Sequence, residues 1–234
     1  MIRAITHIHT NYSYDSRLPA PRLLQALQAD LVGLALVADH DSFQGAIDLA
    51  AEVRRTGAAL LVPLAAEIAT EFGDVVVVLP DGVAAPEVKA IKKWADLRNA
   101  IRQLGGRIWL PHPFQHHREV ETLAAEADVI EVFNARCTPE NNAAAQELCR
   151  RFGKIPAYGA DAHSLVECFR TVVEYPPAAT AIEILSQAPR CLSQGLTPHR
   201  AIVWSQLVKG FKQRRPKLVV MTLLAWLPHP RKKH

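Results

Sequence analysis

From residue 4 to about residue 165 the chain alternates short apolar runs with amphipathic stretches, and this rhythm restricts the fold more than any other feature. The run 31–38 (LVGLALVA) has no polar residue, as expected of a strand covered on both faces of a parallel sheet. Residues 4–10, 59–68, 75–79, 107–110, 129–133 and 155–159 read as further strands. Helices are predicted between them over 21–30, 44–55, 86–104, 120–127 and 139–152, with glycines at 57, 105 and 153 as stops. Six or seven β/α units in about 165 residues imply an α/β barrel or a doubly wound sheet. After about Tyr175 the rhythm stops, prolines cluster and basic helices are expected, so 1–175 reads as the folded unit and 176–234 as an appendage.

The composition fits one domain. Of 234 residues, 49% are hydrophobic and 21% charged, enough to bury a core and to exclude global disorder. The net charge of +4 conceals an asymmetry. Residues 199–234 hold nine of the 27 Lys/Arg and none of the 23 Asp/Glu, which leaves a body of −5 and a tail of +9. Cys137, Cys149, Cys168 and Cys191 form no CxxC pair, so neither a disulfide framework nor a zinc finger is indicated. The start of the chain lacks the apolar core of a signal peptide, and the tail's apolar run 218–227 is half of a membrane span. A cytoplasmic protein is expected.

The chemistry-bearing residues sit at strand ends. His7 and His9 lie at i and i+2 of one strand, hence on one face. Asp39, His40 and Asp41 follow the second strand, and Glu67 closes the third strand's apolar run. His112 follows the strand RIWL, while Asp161 and His163 follow the last strand, again two apart. The C-terminal ends of parallel strands share one face, where ligands bind, so five histidines and several carboxylates are predicted to converge there. Mixed imidazole and carboxylate donors suit Zn, Mn or Fe better than Ca or Mg alone, and a two-oxygen carboxylate such as Glu67 can bridge two ions. There is no GxSxG elbow, Walker A loop or GxGxxG, and Cys137 reads as an incidental thiol.

The stretches His7-Ile8-His9-Thr10-Asn11-Tyr12-Ser13-Tyr14-Asp15-Ser16, Ala38-Asp39-His40-Asp41-Ser42, Glu67-Ile68, Leu110-Pro111-His112-Pro113-Phe114, Ile130-Glu131-Val132-Phe133-Asn134-Ala135-Arg136 and Gly159-Ala160-Asp161-Ala162-His163 resemble, in order, the motifs of the PHP (polymerase and histidinol phosphatase) family. The resemblance covers residues 1 to about 175 and is closest to the family's small stand-alone metal-dependent phosphoesterases. It implies a distorted (β/α)7 barrel, here followed by a basic helical C-terminal extension. It implies that His7, His9, Glu67 and Asp161 hold one ion, that Glu67 and His112 hold a second, and that Asp15, His40 and His163 hold a third. The family's further histidine on the next strand has no counterpart in 74–79 (DVVVVL), so two or three divalent ions are expected.

The resemblance implies phosphoester hydrolysis through a metal-bound hydroxide, with Asp161, His163 and His40 as candidate proton carriers. Arg136, Arg118 and Asn134 are candidates for substrate binding, with Arg17 a weaker one, and His116 and His117 suit the rim. The substrate class is a small phosphorylated metabolite, a nucleotide or a short RNA or DNA. The alternative is a degenerate PHP module with a binding or regulatory role, recruited by its tail. Basic clusters around the apolar run 218–227 suit an anionic membrane surface or a phosphate backbone, or a helix packed on the body with its cations outward.

Overall fold

The computed structural model describes residues 1–83 and 90–226. Strands β1 (Ile2–Ile8) and β2 (Leu34–Val37) pair in parallel, flanked by helices α1 (Ala20–Ala29) and α2 (Gln44–Thr56). Strands β3 (Leu64–Thr70) and β4 (Gly73–Leu79) form an antiparallel hairpin through a two-residue turn. Here the predicted β/α alternation fails, because the connection is too short to hold a helix. Helix α3 (Trp94–Gln103) leads to β5 (Arg107–Leu110), α4 (Val120–Glu126), β6 (Val129–Asn134), α5 (Pro139–Phe152) and β7 (Ile155–Gly159). Part of the helix predicted over 86–104 lies outside the described residues.

The strands form two sheets, a five-stranded one ordered β3-β4-β5-β6-β7 and a four-stranded one ordered β2-β1-β8-β9. Strand β8 (Thr171–Tyr175) adds to β1 antiparallel and β9 (Arg190–Gln194) adds to β8 antiparallel, with the short helix α6 (Leu165–Cys168) before β8 and α7 (Ala181–Leu185) between the two strands. The segment expected to be helical after residue 175 thus contains a strand. β9 is an exposed edge strand of sequence RCLSQ, which lacks the apolar alternation that would reveal it.

Two seams join the sheets. Isolated bridges pair Leu34 with Leu61 and His40 with Glu67 at one seam, and Ile8 with Ala162 at the other. Backbone hydrogen bonds reinforce them: Glu67 N–H donates to Asp39 O at 3.0 Å, and His9 N–H donates to Ala162 O at 2.8 Å. The seams therefore bring the strand ends carrying His9, His40, Glu67 and Asp161 into one neighbourhood. One buried cluster, including Leu36, Ala65, Val76, Trp109, Ala157 and Val173, draws on both sheets. Other apolar clusters seat the helices on the outside. Helix α5 shows its local causes: Thr138 accepts from Asn141 N–H at one end, Pro139 opens the first turn, and Gly153 ends it at φ 60°.

Helices α8 (His199–Lys212) and α9 (Pro216–Trp226) complete the chain. α8 buries Ala201, Val203, Ser205, Val208 and Gly210, whereas α9 buries nothing among the described residues. Among the described residues of the tail's apolar run, 218–226, none is buried, whereas the helix before it is seated on the body. Among the described residues no helix is long and apolar enough to cross a membrane.

Candidate metal centre

All eight predicted metal ligands meet at one end of the strands. His9, Asp15, His40 and His163 offer ligand atoms within 4.8 Å of one another, as do the groups His7, His112 and Asp161, and His7, His9 and Glu67. Glu67 is the hub. Its Oε2 lies 3.6 Å from Nε2 of both His7 and His9 and 3.0 Å from His40 Nδ1, while Oε1 lies 3.1 Å from His112 Nε2. The two oxygens thus serve different histidines, as a bridging carboxylate would. Asp161 Oδ1 is 3.4 Å from His9 Nε2, and Asp15 Oδ1 is 3.2 Å from His163 Nε2.

Partners behind the rings fix which nitrogen faces inward. His7 Nδ1–H donates to Glu131 Oε1 at 2.9 Å. His163 Nδ1–H donates to the Asp161 carbonyl at 2.9 Å. The Ser13 hydroxyl is committed to Asp39 at 2.6 Å, so Ser13 Oγ accepts from His9 Nδ1–H at 3.0 Å. In the neutral form of all three rings Nε2 carries the lone pair and points into the cluster, the tautomer that metal-binding histidines need. His7 Nε2 and Glu67 Oε2 are buried without a well-aligned hydrogen-bond partner among the described residues. Orphaned buried acceptors of this kind cost about 1–3 kcal/mol each unless something ligates them. The donor set therefore fits divalent transition metals.

The backbone is bent to make this arrangement. His7, His112 and Asp161 have φ of 62°, 28° and 45°, a region that side-chain-bearing residues rarely adopt. The register between β1 and β2 shifts at His7, a bulge that re-aims one side chain. Glu131 also depends on a glycine, since a Cβ at Gly159 would run into its carboxylate.

The electrostatics are those of a site made for cations. Burial alone would depress His7, His40 and His112, but the surrounding carboxylates, Glu67 foremost for His40 and His112 and Glu131 for His7, hold all three above the usual histidine range. His9 goes the other way, lowered to about 3 by burial and the neighbouring His163, so it is a neutral imidazole. Burial pushes Glu67 and Asp161 up, yet the histidines around them outweigh it and hold both well below the carboxylate range.

Three acidic residues had no assigned role in the sequence reading. Asp74 forms a further group with His40 and Glu67, so the stretch without histidine supplies a carboxylate at the same place. Glu131 supports His7, accepts the His112 backbone N–H at 2.9 Å, and accepts from Asn134 at 2.8 Å. Asp39 gathers Thr10 and Ser13. A carboxylate inside the otherwise apolar strand VIEVFN was the available signal for Glu131.

The candidate substrate residues separate. A cleft of about 170 Å³ lies over the cluster, lined by Tyr14, Asp74, His116, Arg136 and Lys209 among others. Arg136 reaches it, but its guanidinium is engaged by Glu167 at 3.1 Å and Ser205 at 2.6 Å. Asn134 is buried behind the ligands, donating also to Asp161 at 3.2 Å, and so positions rather than meets a substrate. Arg118 is exposed and does not line the cleft, and Arg17 lines a neighbouring one beside Trp204. His116 is at the rim, and His117 packs beneath Gly73 with its nitrogens facing the carbonyls of Asp74 and Gln115.

Comparison with solved structures decides the fold. A two-domain protein of Bacteroides vulgatus, containing a PHP-like metal-dependent phosphoesterase, superposes with a TM-score of 0.66 over 82% of this chain and 65% of its own, at 12% identity. The chain has a PHP-type fold. PsfC of Pseudomonas syringae matches 96% of this chain and 98% of its own, with a TM-score of 0.61 and 18% identity. An amidohydrolase of Chromobacterium violaceum, with bound sulfate and no metal, matches 74% of this chain and 92% of its own, with a TM-score of 0.54 and 17% identity. No family model matches the chain. An uncharacterized protein of Methanocaldococcus jannaschii is 28% identical over 120 residues, which is 47% of this chain. The match spans about half, 49%, of that curated relative's length.

Proposed function

We propose that the PHP-type fold here carries a metal-dependent phosphoester hydrolase for small phosphorylated metabolites or nucleotides. The observation that carries the reading is the convergence of eight imidazole and carboxylate ligands whose ring tautomers are already set for metal. We read the two sheets and their seams as the distorted seven-strand barrel, with the ligands before residue 175 and an extension after it. Two or three ions of the Mn, Zn or Fe class would be held by His7, His9, Asp15, His40, Glu67, His112, Asp161 and His163, with Asp74 beside His40. Bound ions supply an acidified water and neutralise phosphoryl oxygens.

The chain's own groups do the rest. Glu67 Oε1 and Oε2 hold the two halves of the cluster in register. Asp161 is the candidate to hold the proton that water loses as its oxygen bonds to phosphorus, whereas His163, the other residue proposed from the sequence, has Nδ1–H committed to the Asp161 carbonyl and Nε2 to the cluster. The ester P–O bond breaks and the alcohol leaves with a proton. His40 is the third proton-carrying candidate, stacked on Tyr14 with ring centroids 4.4 Å apart. The degenerate-module alternative loses ground because eight ligand positions are filled and clustered, and Asp74 stands beside His40 and Glu67 in the stretch that lacks the family's further histidine.

The test is a phosphate-release screen of Mn²⁺-loaded protein over sugar phosphates, nucleotides and short oligonucleotides, with metal analysis alongside. Release from at least one class is expected, and Asp161→Asn should lower turnover by more than about 100-fold while the fold survives. A folded, metal-loaded protein inert towards all of them would sink the hydrolase reading.

A separate feature bears on partners. Phe211, Met221, Leu224 and Trp226 are exposed close to Arg214, Arg215 and Lys217. An apolar face with basic neighbours suits an anionic membrane surface, and co-sedimentation with phosphatidylserine vesicles, lost on removing α9, is the expected outcome.

A further inference from the structure

We infer that α8 forms the substrate-reading wall of the site, with Lys209 and Gln206 binding the terminal phosphate of a small phosphomonoester. The inference rests on the phosphoester reading above and narrows it. Ile202, Gln206 and Lys209 lie at i, i+4 and i+7, one stripe of the helix, and all three line the cleft over the ligand cluster. The Lys209 ammonium lies 4.6 Å from the centre of the Tyr14 ring, whose other neighbour is the His40 ring, parallel to it within 2°. The Lys209 ammonium has neither an ion pair nor a hydrogen bond among the described residues, and the Gln206 side chain has no hydrogen bond there either. Here is a cation facing a floor rich in carboxylates without touching one. The arrangement makes sense if an anion sits between Lys209 and cations held in the floor.

The wall is held in place, so this alignment is not incidental. Thr197 N–H, just before α8, donates to Ala135 O at 2.7 Å. Midway along, buried Ser205 accepts from Arg136. At the far end Lys212 Nζ donates to three carbonyls, Asn11 O at 2.7 Å, Ser13 O at 2.8 Å and Ser16 O at 2.7 Å. An ammonium has three donors, so Lys212 is saturated and clamps α8 to the loop that carries Tyr14 and Asp15. One turn earlier, Lys209 is left pointing over that loop into the cleft.

The space at the floor of this partly open cleft favours a small substrate. A cleft of about 170 Å³ falls below the roughly 300–1,000 Å³ typical of sites for drug-sized ligands. Ions in the floor reduce the space further. The space at the floor suits a phosphate on a short alcohol better than a long chain threaded through it. Arg136, the sequence's leading phosphate binder, is already tied to Glu167 and Ser205, which leaves Lys209, among the described residues, as the cleft's cation without an ion pair.

The experiment uses the full chain loaded with Mn²⁺. Inorganic phosphate is titrated calorimetrically into wild type, Lys209→Met, Lys209→Arg, Gln206→Leu and, as a charge control on α9, Lys217→Met. Lys209→Met should weaken phosphate about tenfold or more, equivalent to about 1.4 kcal/mol. Lys209→Arg should restore most of that, and Lys217→Met should match wild type, with Mn content equal throughout. Kinetically, Lys209→Met should raise KM more than it lowers kcat, and glycerol phosphate should outperform a 5′-phosphorylated decanucleotide in kcat/KM. Equal phosphate affinity in wild type and Lys209→Met, or preference for the decanucleotide, would overturn the inference. Should Lys209→Met unfold, the Lys209→Arg and Gln206→Leu pair decides, since unchanged phosphate binding by Gln206→Leu counts against the wall. Phosphate binding that depends on Lys209 without hydrolysis of any ester would instead sink the hydrolase reading alone.

Discussion

In the floor of the cleft nearly every polar side chain is held by another: His7 by Glu131, His9 by Ser13, Asp161 by Asn134. In the α8 wall the tethers lie at the ends and middle of the helix, and the groups facing the cleft, Gln206 and Lys209, are free. The floor buys rigidity with strained backbone and buried charge. The wall uses ordinary helix packing and places a few donors that can adapt. A site organised in this way keeps its chemistry constant while its substrate preference can drift through α8. The neighbouring α9 sharpens the contrast. It is the more apolar helix, yet its described residues are all at least half-exposed or partly so, because it has none of the polar anchors that seat α8.

The largest effect that could break this contrast belongs to the floor. Glu131→Gln removes the charge behind His7 and should weaken Mn²⁺ binding about 10–100-fold with little change in secondary structure, measured by metal titration. An unchanged affinity would mean that the rings are oriented without it. The protons of the floor give a second measure. His7, His40 and His112 are held above 6.5, so in metal-free protein they stabilise the fold fully below the unfolded histidine value, and this contribution is lost as pH rises through their raised values. Metal replaces those protons, so the rise in Tm on adding Mn²⁺ should be greater at pH 8.5 than at pH 6. An equal or smaller rise at high pH would contradict the direction of these shifts.

The wall should respond more mildly. Lys212→Ala leaves three carbonyls of the 11–16 loop without their donor and should cost about 1–2 kcal/mol, read by urea unfolding. It should also loosen metal binding at Asp15, which the same loop carries. Smallest of all should be removal of the chain from residue 216 onwards, with Tm changing by about 1–2 °C and phosphate affinity intact. A collapse of stability would show that α9 is packed after all.

Seven of the eight candidate ligands were legible because each stands near where an apolar run stops, and strand ends of this kind share one face; Asp15, in the loop after β1, was legible only through the family resemblance. The bounds of β5, α5 and β7 were legible for local reasons, such as Thr138 and Gly153 around α5. The orientation of β4 was not, since a valine run reads alike in either direction. Asp74, Glu131 and the α8 wall also escaped, because pairings between residues far apart in the chain leave no periodic trace. Hydrophobicity left open whether 218–227 would pack or project; none of its described residues, 218–226, is buried, and the polar anchors Arg136, Ser205 and Lys212 seat the helix before it instead.

The left-handed backbone at His7, His112 and Asp161 has an evolutionary consequence. Histidine, aspartate, asparagine and glycine tolerate such φ values far better than β-branched residues do. At these three positions the main chain screens substitutions before chemistry does, and the residues that pass are mostly ligands or glycine. A lineage losing catalysis should therefore show asparagine or glycine there, and valine or isoleucine only where the bulge itself has been lost.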